Sequence, residues 1–328
     1  MKALLIDEES EQPVMKTGEF PTPDPRPNEL LVKIEATALN RADLLQKAGK
    51  YPVPEGASPI LGLEMAGVVA ETGSDVSGFE IGDWVFGLLS GGGYAEYCTI
   101  SQGMAMKIPE ALSFEEAAAI PEVFLTAYQA IDWLGELQNG ETILIHAGAS
   151  GVGTAAIQLA KHLFDARIIT TAGTDQKNNL CEELGSGLSI NYKEKDFADE
   201  IESAFGKQSV DVIVDFVGSP YWDNNIKILD LDGRLIYLAM LGGVKVDEIN
   251  LLPILRKRLT IKGSTLRNRS DDYKMRLTKE FENKALRYFT DGKIKPIIDS
   301  IFDWNNVEKA HSKMANNLNA GKIVLTGM

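Results

Sequence analysis

The chain of 328 residues is too long for one comfortable hydrophobic core and implies about two domains. With 44% hydrophobic and 24% charged residues it has an ordinary globular composition and ample material to bury. Its 47 acidic against 33 basic residues give a formal charge of -14, which argues against nucleic acid or an anionic membrane as partner, since both demand a basic surface.

From the N-terminus, residues 1–10 (MKALLIDEES) turn acidic after a very short apolar run, unlike a secretory leader. Residues 1–119 read as β-rich. Residues 30–34 alternate as a half-buried strand after Pro21, Pro23, Pro25 and Pro27. Residues 68–70 form another strand, followed by a turn at 71–75; residues 82–87 turn into a strand, and Gly91-Gly92-Gly93 precedes one over 94–100. Short strands and dense turns suggest a barrel-like domain. Ser113 with Glu116 at the capping-box spacing then opens a helix.

Residues 120–262 alternate strand and helix. Residues 142–145 are a buried apolar run that ends at the glycine-rich turn 148–153. Apolar residues recur at helical spacing from Ala155, and residues 167–171 return to strand composition. Further expected elements are a helix over 175–184, strands near 189–192 and 211–217, a helix over 222–229 and a strand over 233–240. Such alternation builds a doubly wound parallel α/β sheet, with ligands beyond the carboxyl ends of its strands, here near Gly148, Gly173, Val217-Gly218 and Met240-Leu241-Gly242. The tail, 263–328, is too short for a domain and most simply returns to complete the first.

The turn Gly148-Ala149-Ser150-Gly151-Val152-Gly153 matches the dinucleotide fingerprint except that Ser150 takes the middle glycine position. A bare glycine turn signals only a tight connection, but here a strand precedes it and a helix follows. That puts free amides and the positive end of a helix dipole at the turn, which suits a pyrophosphate. A carboxylate at the end of the second strand would bind an NAD ribose; this chain has Gly173-Thr174 there, leaving room for a 2′-phosphate. Asp175 would repel that phosphate if it pointed inward, or it caps the helix that begins there. Only two cysteines occur, Cys98 and Cys181, so neither a disulfide framework nor a four-cysteine zinc lobe is available. No apolar run reaches the ~20 residues of a membrane helix. The expected compartment is the reducing cytoplasm.

In the order of these parts, and in residues 39–46, 62–69, 124–128, 147–153 and 191–193, the chain resembles the zinc-free quinone oxidoreductase branch of the medium-chain dehydrogenase/reductase superfamily. Residues 40–51, 221–222 and 321–325 look closest to its p53-inducible type. The resemblance implies a GroES-like catalytic domain (1–119 completed by 263–328) and a Rossmann domain (120–262) that binds NADPH. It further implies that Lys177 and Tyr192 hold the 2′-phosphate, the bland reading being a solvated helix lysine and a surface tyrosine. Asn40, Thr126, Thr265, Leu266 and the backbones of Val217, Met240, Leu241 and Gly242 are implied at the nicotinamide end, with Asn317 or Asn319 reaching in from the tail. In the superfamily's zinc-dependent alcohol dehydrogenases the catalytic ligands fall at positions corresponding to Asn40, Leu63 and Glu122. Only Glu122 could serve here, against the roughly three protein ligands a catalytic zinc needs, and His146, His162 and His311 lie elsewhere.

Asn40, Asp43 and Tyr51 are the substrate candidates. Asp43 reads equally as a helix-start residue facing water, and Tyr51 as packing beside Pro52 and Pro54. The expected reaction is zinc-independent transfer from NADPH to a quinone, with Tyr51 or water supplying hydrogen bonds. An enone or alkenal reductase and a low-turnover NADPH-binding protein are the alternatives. Residues 258–262 alternate as an exposed edge strand, and the resemblance implies a homodimer paired there.

Overall fold

The structure is a computed structural model that describes residues 1–7 and 13–328, so residues 8–10 of the opening segment lie outside the described residues. Its strands are β1 (Lys2–Asp7), β2 (Val14–Glu19), β3 (Glu29–Ala38), β4 (Glu64–Thr72), β5 (Trp84–Leu88), β6 (Tyr97–Ser101), β7 (Ala105–Lys107), β8 (Thr142–Ile145), β9 (Arg167–Ala172), β10 (Leu188–Asn191), β11 (Val210–Asp215), β12 (Leu229–Tyr237), β13 (Thr260–Gly263), β14 (Ile298–Asp303) and β15 (Lys322–Thr326). The helices are α1 (Arg41–Lys47), α2 (Phe114–Ala118), α3 (Pro121–Tyr128), α4 (Gly151–Phe164), α5 (Asp175–Leu184), α6 (Phe197–Phe205), α7 (Trp222–Ile228), α8 (Leu252–Lys257), α9 (Asp271–Thr290) and α10 (Val307–Ala315).

Two compact units emerge. One comprises Met1–Leu125 with Arg267–Met328, the other Thr126–Leu266. These junctions fall a few residues beyond 119/120 and 262/263, because α2 and the start of α3 pack with the first unit: Phe124 stacks edge-on against Phe289 of α9, ring centroids 4.9 Å apart.

The first unit is a GroES-like β structure. Its larger sheet runs β14-β15-β3-β4-β5-β7, with β6 also on β3. The long strand β3 buries Leu30, Val32 and Ile34 against Met65, Val69 and Val85, while Lys33 points to the opposite face and stays exposed. The tail returns here: β15 pairs antiparallel with β3, Val324 opposite Ala38.

The second unit is a six-stranded sheet in the order β10-β9-β8-β11-β12-β13, all parallel. Chain order reverses between β8 and β11, the switch point at which an open parallel sheet receives its ligand. Every residue of β8 is buried, and Leu144, Ile169, Ile213 and Leu235 form the sheet's contribution to the core. Helix α4 begins at Gly151, earlier than the apolar spacing from Ala155 suggests, because Ser150 caps it. Strand β12 ends at Tyr237, so Met240 lies on the loop beyond rather than in the strand.

Candidate active site

In the second unit the turn after β8 is shaped by its own packing. A Cβ on Gly153 would sit 2.5 Å from the carbonyl oxygens of Ala147 and Gly148, and one on Gly148 would meet Thr170 and Cys181. Ser150 accepts a hydrogen bond from the Gly153 amide at 3.0 Å and starts α4. The amides of Gly151 and Val152 stand at the first helical positions, where no carbonyl four residues back can receive them, and Ala149 is buried beneath. These are the donors a pyrophosphate would use.

At the end of β9, a Cβ on Gly173 would lie 2.8 Å from the Tyr192 hydroxyl and 3.3 Å from Lys193 Cε, so the absent side chain lets both residues pack over the Gly173 backbone. Thr174, not Asp175, caps α5, accepting from the Lys177 amide. Asp175 is instead the first helical residue and accepts from the Asn191 side chain at 3.2 Å. Tyr192 is 44% exposed and shares a pocket of about 380 Å³ with Lys193, Lys195, Tyr221 and Asn224; Lys177 is half-buried and not on its wall.

The loop after β11 is ordered by a buried chain that the sequence reading did not find. Asp215 accepts from the amides of Val217 and Gly218 and from Asn225; Asn225 meets His146 Nε2 at 2.8 Å, and His146 Nδ1 meets Thr171 at 2.9 Å. Burial lowers the His146 pKa, so this histidine is a neutral structural link. Leu241 and Gly242 donate to the carbonyls of Phe216 and Val217, which brings Val217, Gly218, Met240, Leu241 and Gly242 together. Leu266 is buried and Thr265 exposed at the end of the unit, and the Thr126 hydroxyl is buried without a partner. Paired glycines, free helix-start amides and an orphaned hydroxyl fit a bound dinucleotide.

The first unit contains a different cluster. Lys322 Nζ donates to the Leu39 carbonyl, Asn40 Oδ1 and Glu64 Oε1 at 2.7, 2.8 and 2.7 Å. Asn40 Nδ2 also donates to Glu64, and the other Glu64 oxygen accepts from the Glu122 amide at the start of α3. Asn40, expected to contact cofactor and substrate, thus spends both side-chain polar atoms inside the protein. Asp43 is only 1% exposed and accepts from the amides of Asn40 and Gly62 and from the Tyr94 hydroxyl. It therefore neither faces water nor lines a substrate wall; burial pushes its pKa up to about 6. Neither Glu64 nor Lys322 was singled out from sequence, although each is a lone charge in an apolar run, a pattern that demands a buried partner.

Tyr51 is half-buried beneath Arg267, whose guanidinium carbon lies 5.3 Å from the ring centroid. Its pKa is raised by burial and then by the Glu122 carboxyl, with Arg267 opposing. Glu122 is itself pushed up to about 8 by burial and the neighbouring Glu64 carboxylate. Asn317 accepts from Arg41 at 2.7 Å, joining the end of α10 to the start of α1, and Asn319 donates to the nearby Gly321 carbonyl, so each bonds within the first unit. Of the three positions that would hold a zinc ion, Leu63 has no donor atom and Asn40 is consumed, which leaves Glu122 alone; the set does not fit zinc.

A GroES-like unit together in one chain with a parallel-sheet unit that carries a dinucleotide cradle defines an oxidoreductase of the two-domain dehydrogenase class. Residues 26–110 match the alcohol dehydrogenase GroES-like domain and residues 151–283 the zinc-binding dehydrogenase family. The quinone oxidoreductase of Lama guanicoe is 30% identical over 99% of this chain and 97% of its own length. The Escherichia coli quinone oxidoreductase, solved in complex with NADPH, superposes with a TM-score of 0.84 at 30% identity, covering 96% of each chain. A structure described as an NAD-dependent alcohol dehydrogenase gives a TM-score of 0.85 at 31% identity over 100% of both chains. The chain belongs to the quinone oxidoreductase branch of the medium-chain dehydrogenase/reductase superfamily.

Proposed function

We propose that this chain is an NADPH-dependent, zinc-independent quinone reductase that acts as a homodimer in the cytoplasm. The observation that carries this reading is the end of β9. A carboxylate free to take a ribose diol is missing there, because Asp175 is engaged by Asn191, and Tyr192 with Lys193 packs over Gly173 and brings a hydroxyl and an ammonium to the rim of the adjoining pocket. Those groups suit a 2′-phosphate. The Gly151 and Val152 amides would hold the pyrophosphate, and the loops at 217–218 and 240–242, Thr126, and Thr265-Leu266 would receive the nicotinamide end.

When bound, reduced nicotinamide supplies a hydride. A quinone accepts it without a Lewis acid, which agrees with a donor set that does not fit zinc. Tyr51 is the residue of the first unit assigned to the acceptor's oxygen: it donates a hydrogen bond and, with water, the proton that completes the hydroquinone. Asn40 and Asp43 act as supports, fixing the start of α1 and the Lys322–Glu64 pair. Unpaired, buried Cys98 and Cys181 agree with a reducing compartment.

Oxygen-free NADPH oxidation, followed by absorbance with an ortho-quinone and an alkenal in parallel and repeated with NADH, tests the reading. Fast turnover on the quinone with NADPH is expected. Preference for the alkenal would make the chain a double-bond reductase, preference for NADH would remove the 2′-phosphate assignment, and silence on every acceptor would leave an NADPH-binding protein.

A further inference from the structure

Arg267 is a costly residue in its place. It is 4% exposed, and its Nη1 is buried with no hydrogen-bond partner. Nε and Nη2 both donate to the Ser90 carbonyl, at 3.1 and 2.9 Å. Ser90 is held in turn: its hydroxyl accepts from Lys274 Nζ at 2.9 Å, and Lys274 is itself buried on the first turn of α9. A planar cation is thus clamped along one edge while its free nitrogen is denied water. A buried guanidinium nitrogen left unpaired destabilises the fold, so the arrangement calls for a compensating contact or a functional return.

The compensating contact is Tyr51. The guanidinium lies over its ring within cation–π range, 5.3 Å from the centroid. Tyr51 needs such a contact, because it stands in the irregular stretch between α1 and β4, where no strand ladder or helix holds it. Nearby bonds, from Lys50 to the Leu45 carbonyl and from Gln46 to the Pro59 carbonyl, fix the backbone on either side but do not engage the phenol ring.

We infer that Arg267 is the positioning residue of Tyr51: clamped to Ser90, it fixes the ring so that the phenol hydroxyl is presented in one direction to the acceptor's oxygen. The inference rests on the assignment of Tyr51 in the proposed function. The same cation acts on the proton as well as on the geometry. Burial and the Glu122 carboxyl both oppose ionisation of the phenol, and Arg267 is the charge that favours it. Removing Arg267 therefore loosens the ring and makes the phenol a weaker acid.

Fluorotyrosine-labelled protein provides the test. The Tyr51 resonance is assigned by its loss in Tyr51→Phe, then followed in Arg267→Met and Arg267→Lys alongside quinone turnover. In Arg267→Met the Tyr51 resonance shifts and sharpens towards that of a mobile ring, while most other tyrosines stay in place. Turnover falls at least tenfold with KM for NADPH unchanged, and the alkaline limb of the kcat profile moves to higher pH. Arg267→Lys retains the charge without the planar fork and recovers part of each effect; if the methionine variant does not fold, the lysine variant must still show a partial loss of turnover and a displaced resonance. Impaired Tyr51→Phe beside an Arg267 variant with wild-type turnover and an unmoved resonance overturns the inference alone. Wild-type turnover in Tyr51→Phe instead removes the functional assignment of the tyrosine, and the inference falls with it.

Discussion

Lys322 and Glu64 meet at 2.7 Å with side chains only 4% and 0% exposed. Two charges taken this far from water repay their desolvation only if their remaining donors and acceptors are satisfied, and here Asn40, the Leu39 carbonyl and the Glu122 amide complete the set. Lys322→Met strands the carboxylate and is expected to cost about 3–5 kcal/mol in urea unfolding, with Glu64→Gln added to it restoring much of the loss. Glu122 makes a separate prediction through pH. Its pKa is 4.5 in an unconstrained chain and about 8 here, so between those values the folded protein holds a proton that the unfolded chain has released. Stability from this group is therefore full below about pH 4.5 and is lost as pH rises through about 8. Asp43 acts the same way between 3.8 and about 6, whereas His311, lowered by burial from 6.5 to about 4, gains stability as pH rises across that window. Above pH 6.5 only Glu122 of these three still changes, so the fall in stability from there to about pH 8 should flatten in Glu122→Gln. Denaturant midpoints across that range check it; an unchanged slope would show that the carboxyl is ionised throughout.

The helix α4 shows how one residue serves two levels of structure. Ser150 breaks the glycine fingerprint, yet its hydroxyl caps the helix whose free amides form the cradle. Ser150→Ala should cost about 1 kcal/mol in stability and weaken dinucleotide binding modestly. Gly153→Ala should cost more, because its Cβ would press on two backbone carbonyls that have nowhere to go. Calorimetric titration and thermal melts separate the two effects. This element was legible in the sequence for a physical reason: strand burial, turn glycines, cap and helix period all act within about a dozen neighbouring residues. The same holds for the capping box at Ser113. What stayed hidden is long-range pairing. Lys322 and Glu64 are 258 residues apart, and His146 reaches Asn225 across 79, distances over which no local period carries information. Asp43 is the instructive middle case, since its local helix-start role was readable while its burial by Tyr94 and Gly62 was not.

At the scale of the molecule, the proposed homodimer would pair along one of the two edges of the parallel sheet, β13. Among the described residues strand β13 pairs with β12 alone, and just before it in the chain Leu251, Leu252 and Leu255 of the α8 region are exposed, Leu255 at 75%, with Ile261 on the strand itself. A ladder of unpaired backbone groups flanked by exposed leucines is a surface that a single chain leaves unsatisfied. A second copy paired along β13 would complete it. That pairing must overcome repulsion between chains of formal charge -14 each, and screening weakens the repulsion without touching apolar burial. The proposed homodimer would therefore tighten as ionic strength rises towards about 0.5 M, the reverse of an interface held by ion pairs. Leu255→Glu should weaken it at least tenfold, since a carboxylate would have to be buried, and should leave the fold intact because the side chain is in water in the single chain. Sedimentation equilibrium at low and high salt gives both readings at once. Dimers that loosen with salt, or that ignore Leu255→Glu, would place the contact elsewhere and leave β13 covered by some other element.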